Sequence, residues 1–138
     1  MDEGPLVKER IDAGLRFVHE FNKYAPVRVA FWLKKQDGWF WYLHVVSDEI
    51  TGANFDLAYG EVIRLANEMA DPDFNWMRVT VLGTHERLGQ AALEAQQRYK
   101  GKALIHIHDY YFGGIATAGE IIIYPQSAMI PATVPAKE

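Results

Sequence analysis

No cysteine occurs in the 138 residues, which excludes disulfides, thiolate catalysis and cysteine-ligated zinc. Serine is almost as scarce. Ser47 and Ser127 stand alone, and neither sits in the GxSxG setting of a nucleophilic serine. No apolar run approaches the roughly 18 residues needed to cross a bilayer. The opening MDEGPLVKER carries acids where a signal peptide would carry bases, and it lacks an apolar core of the export type. Positive charge is not in excess either: the formal net charge is −4, whereas phosphate contacts favour a basic surface. These absences lead us to expect a cytoplasmic protein with no membrane partner and no general nucleic-acid role.

What is present is ordinary in bulk and informative in pattern. With 49% hydrophobic and 23% charged residues, the chain can bury a core as one domain without staples. The clearest local signal is Val27–Val46. Asp37-Gly38 sits there between two aromatic, β-branched runs, the mark of a β-hairpin. In the first run Val27, Val29, Phe31 and Leu33 alternate with Arg28, Ala30, Trp32 and Lys34, the period of a strand.

Around this hairpin the sequence predicts three helices. Pro5 to Ala25 carries Val7, Ile11, Leu15, Val18 and Phe21 on one face, with Asp12, Arg16, His19 and Lys23 on the other. Asn54 is placed to cap a second helix to about Ala70, with Ala58, Val62, Leu65 and Met69 inward. Thr84 is placed to cap a third, with Leu88, Ala91, Ala95 and Tyr99 inward. Trp76–Leu82 reads as a further strand. Ala103–His108 and Ile115–Tyr124 read as a last hairpin turning at Gly113-Gly114. That turn would set Ile107 opposite Glu120, mixing polar and apolar on each face, which points to a bulge near Gly119.

The expected architecture is α+β: a five-stranded, mainly antiparallel sheet of two hairpins plus one strand, with three helices mostly on one face. Residues 1–124 would form the single domain, and 125–138, with Pro125, Pro131 and Pro135, an extended tail.

If helices cover one face, the other collects Arg28, Trp32, Lys34, Tyr42, His44 and Arg78. Aromatic surface of that extent marks a contact site, for a flat small-molecule ligand or for a second copy in a homodimer. A different chemistry is suggested by His106 and His108. Two residues apart on a strand, they project to one face at a spacing that suits a divalent metal such as zinc. His44 would be a third ligand and Glu120 a base for metal-bound water, as in a hydrolase. Asp48-Glu49 and Asp71 with Asp73 read as turn chemistry, since they lie beside turn-forming residues.

An opening helix, then VAFWL, a short turn, GWFWYLHVVS and a helix containing Ala58-Tyr59 together resemble a small bacterial α+β family. The matching residues are Ala30, Trp32, Leu33, Gly38, Trp39, Leu43, Ser47, Ala58 and Tyr59. The likeness spans about half the chain and implies a compact α+β domain without any particular chemistry. His106 and His108 lie outside the pattern. The leading expectation is therefore a non-enzymatic binding domain, with a metal-dependent hydrolase as the alternative.

Overall fold

The computed structural model describes residues Gly4–Met129. Helix α1 (Lys8–Tyr24) leads into strands β1 (Val29–Lys35) and β2 (Tyr42–Ser47), then helix α2 (Phe55–Met69). A 3-10 turn over Trp76–Arg78 enters β3 (Val79–Gly83), and α3 (Arg87–Arg98) follows. Strands β4 (Ile105–Ile107), β5 (Tyr111–Phe112) and β6 (Ile115–Ile123) complete the order. The class is α+β, as expected, but the sheet has six strands, ordered β3-β2-β1-β6-β4 with β5 on the far part of β6. It is also mixed: β3 runs parallel to β2, because α2 carries the chain back to the same end of the sheet before β3 begins.

The helices divide between the two faces. Ala30 and Trp32 of β1, with Leu43 and Val45 of β2, pack against Phe17, Val18 and Phe21 of α1 and Ala58, Val62 and Leu65 of α2. Val29, Phe31 and Leu33 pack on the opposite side with Ala92 and Ala95 of α3. The central strand is thus buried on both faces from Val29 to Lys34. Two of the three helices share a face, as expected, but α3 covers the second face, expected to be open. The connection from β3 at one edge to β4 at the other takes α3 across the second face.

Small residues let α3 lie close to the sheet. Its buried stripe is Gly89, Ala92, Ala95 and Gln96, while Tyr99 is exposed. A Cβ at Gly89 would stand 3.1 Å from the Gly83 carbonyl and 3.2 Å from a Val46 methyl. Gln96 donates to the Tyr124 carbonyl at 3.3 Å, which pairs a buried amide. On the other face Tyr124 joins α1 to the sheet. Its hydroxyl accepts from Trp32 Nε1 at 2.9 Å and donates to the Ile11 carbonyl at 2.5 Å.

Three local expectations change. Asn54 occupies the position before α2, but its side chain holds the preceding loop, accepting from Thr51 N and donating to the Glu49 carbonyl. Glu86, not Thr84, precedes α3, and its carboxylate accepts from Gly83 N at 3.0 Å. The Gly113-Gly114 turn, with both residues at positive φ, joins β5 to β6, and β4 pairs with β6 separately.

The irregularity near Gly119 is present. Leu33 pairs with Ile121 and Lys35 with Thr117, so β6 takes up extra residues there and Gly119 adopts φ +112. Packing against the core continues past residue 124. Gln126–Met129 form a 3-10 turn whose Met129 is buried, and His19 Nε2 hydrogen-bonds the Ala128 carbonyl at 2.7 Å. The rest of the expected tail lies outside the described residues. Among the described residues, no helix is long and apolar enough to cross a membrane.

Candidate functional site

The register of the first hairpin decides which side chains share a face. The Lys35–Gly38 turn closes with Gly38 N donating to the Lys35 carbonyl at 2.9 Å. Pairing then runs Leu33 with Tyr42, Trp32 with Leu43 and Phe31 with His44. Alternation along the strands places Tyr42 and His44 on the α3 side and Trp32 on the α1–α2 side. The six residues expected to form one contact surface are therefore split.

Trp32 is 1% exposed, bonded to Tyr124, with the Arg10 guanidinium 5.5 Å above its ring. It is core. Lys34 is also buried, its ammonium 5.7 Å from the Trp41 ring centroid. Arg28 lies at the other end of β1 and pairs with Asp48 at 2.9 Å. Tyr42 and His44 do share a face, and Arg78 reaches Tyr42. Arg78 lies over Phe40 at 3.7 Å and within 6.0 Å of the Tyr42 centroid.

Arg78 lines a separate hollow with Arg10 and Asp73, whereas Tyr42 and His44 border an open cavity of about 480 Å³ on the α3 side of the sheet. Leu33, Leu82, Leu88 and Ile115 give it an apolar lining, and Trp39, Phe40 and Tyr42 an aromatic one. Its polar groups are Lys35, His44, Thr80 and the Tyr42 hydroxyl. Thr80 is the parallel-register neighbour of His44, so strand pairing sets the two side by side. A volume of this size, mostly apolar with a few converging polar groups, is the usual form of a small-molecule site.

His44 is the most constrained of these residues. Its ring stacks on Phe31 at 4.8 Å and an interplanar angle of 9°, and its Nδ1 lies 3.0 Å from the Tyr42 carbonyl. A carbonyl can only accept, so Nδ1 carries the proton and Nε2 of the neutral ring is an acceptor. Burial pushes the imidazole down to about 4 against the opposing pull of the Tyr42 carbonyl; the nearby Lys35 ammonium adds to the fall and the Phe31 carbonyl opposes it. At neutral pH the ring is uncharged.

The structure does not bring His44 to the other two histidines. His106 pairs with Ile122, which pairs with Trp32, so it lies on the α1–α2 side, at the opposite edge from β3. Its Nδ1 meets Glu120 Oε2 at 3.2 Å in an exposed pair, and His108 is exposed in the loop after β4. No group of three histidine, aspartate or glutamate side chains among the described residues is arranged to hold a metal ion. A single zinc cannot reach His44 and His106 through the sheet.

Sequence reasoning missed Lys35, Leu82, Leu88 and Ile115 as parts of one site. A signal for half of it was available. A two-residue Asp37-Gly38 turn would set Tyr42 opposite Leu33 and His44 opposite Phe31, and the longer connection that is present, turning at Gln36-Asp37, reaches the same register. The other half depends on where α3 and the β5–β6 turn cross, which no local pattern encodes. No protein-family model, curated protein or solved structure matches the chain. The residues behind the family resemblance are mostly structural: Ala30, Trp32, Leu43 and Ala58 fill the α1–α2 core. Tyr59 has a separate task. Its hydroxyl donates to the Val79 carbonyl and accepts from Val81 N, both at 3.3 Å, which closes the outer edge of β3.

Proposed function

We propose that this chain is a cytoplasmic, non-enzymatic binding domain that takes a small, flat ligand into the cavity beside the first hairpin. The observation that carries the reading is the position of His44. It is a rigid, neutral imidazole in an apolar, aromatic-walled space of about 480 Å³. The aromatic wall supplies area for stacking, and His44, Thr80 and the Tyr42 hydroxyl supply direction.

Indole tests this reading directly. At roughly 0.4 kcal/mol per non-hydrogen atom, a ligand of this size binds with a Kd on the order of millimolar. In 15N-labelled protein we expect saturable shifts confined to Trp39, Phe40, Tyr42, His44 and Thr80. They should weaken sharply in Ile115→Trp, which fills the space. Shifts absent at saturating indole, or spread equally over the protein and indifferent to Ile115→Trp, would overturn the proposal. A native mass spectrum on the same sample covers the other expected occupant. A homodimer that protects the Trp39 indole N–H would assign the face to a second copy.

A further inference from the structure

From the same cavity we infer that the ligand is a neutral, flat molecule that donates one N–H or O–H to Nε2 of His44. The inference rests on the binding reading above and adds the chemistry of the occupant. Its first support is orientation. Nδ1 is held by the Tyr42 carbonyl and the ring plane by Phe31, so the imidazole cannot rotate to present its N–H to a ligand. What remains is Nε2, an acceptor.

The second support is accessibility. His44 is buried to 5% residual exposure and lines the cavity. No buried side-chain nitrogen or oxygen among the described residues lacks a hydrogen-bond partner. Nε2 has no side-chain or main-chain donor on it, so it is not sealed within the core and opens onto the cavity. A donor from the ligand would complete it.

The third support is charge. Among the described residues, Lys35 is the only charged side chain in the cavity lining, and no carboxylate lines the space. A cationic ligand would meet a like charge and, among the described residues, no counter-ion in the lining. An anion directed at His44 would meet a lone pair unless the ring first took up a proton. With the ring pushed down to about 4, that protonation at neutral pH weakens binding on the order of a thousandfold. Thr80, side by side with His44, can donate to an acceptor on the same ligand edge. A phenol, a lactam or a nucleobase-like heterocycle has this edge.

Three probes of one shape separate the possibilities. Phenol carries the donor. Anisole replaces it with a methyl ether and is otherwise more apolar, so any phenol preference is a conservative measure. Benzoate carries an anion in the same place. In titrations followed by NMR, phenol should bind about tenfold more tightly than anisole, the worth of one such hydrogen bond. Benzoate should be weaker than both, and the 15N resonance of His44 Nε2 should move with phenol alone. In His44→Phe the preference for phenol should vanish while both still bind. Equal binding of phenol and anisole to the natural protein, or a preference for benzoate, would overturn the inference and leave the cavity reading standing. Failure of all three to bind would remove both.

Discussion

Lowering the pH should unload stability through His44 in a range where few other groups act. In the unfolded chain this histidine titrates near the ordinary 6.5, and in the fold burial takes it down to about 4. Between those values the unfolded chain binds a proton that the folded chain refuses, so stability rises with pH across the window and is complete above it. Falling pH removes it again. At about 1.36 kcal/mol per pH unit, the whole window is worth about 3 kcal/mol, and the first step down to pH about 5.5 roughly 1 kcal/mol. The surface carboxylates work lower. Asp48 is held down by Arg28 and Glu61 by Arg64, while Asp71 is held first by the Asp73 amide and then by Arg16. They lose their contribution only as the pH falls through the ordinary carboxylate range. Urea unfolding of the natural protein and of His44→Phe, at pH values of about 7, 5.5 and 4.5, isolates the histidine. Phe keeps the stack on Phe31 and removes the titration. The natural protein should lose between about 2 and 3 kcal/mol more than the variant from the first pH to the last. Parallel losses in the two proteins would show that His44 is not held neutral by burial, and the reasoning about its acceptor nitrogen would go with it.

Two glycines in the middle of helices should respond in opposite senses to alanine. At Gly14 of α1, a Cβ would stand 2.6 Å from the Tyr124 hydroxyl and 2.8 Å from Trp32 Cζ2. Overpacking and damage to the Trp32–Tyr124 bond should outweigh a helix-propensity gain of roughly 1 kcal/mol, for a net loss of about 2 kcal/mol. Gly60 of α2 faces open space, so its alanine variant should gain roughly 0.5–1 kcal/mol. Thermal unfolding reads both, and a stabilised Gly14→Ala would contradict the packing of α1 on the sheet. Tyr59→Phe should cost about 1 kcal/mol and speed hydrogen exchange at the Val81 amide, since it strips the hydroxyl from the outer edge of β3. An unchanged exchange rate there would show that the edge is closed by something else.

The three helices, the first hairpin and the α+β class are legible in the sequence. Prolines and the spacing of apolar residues mark α1, Asp37-Gly38 between two aromatic runs marks the hairpin, and the clash of polar and apolar residues marks the irregularity near Gly119. These are local properties, settled by interactions a few residues apart. Tertiary structure decided the rest. Trp32 looks like a contact residue beside Arg28 and Lys34, yet α1 covers it and Tyr124 satisfies its N–H. Phe31 looks like core beside Val29 and Leu33, and it is, but under α3 on the other side. Alternation along a strand says that two faces differ without saying which is covered, and in a central strand both are. His106 and His108 keep their spacing but stand at an edge remote from His44, because β1 and β6 lie between β2 and β4. Strand order is a long-range choice made by crossover connections and packing, and the cavity lies where that choice brings Leu33, Leu82, Leu88 of α3 and Ile115 to the first hairpin.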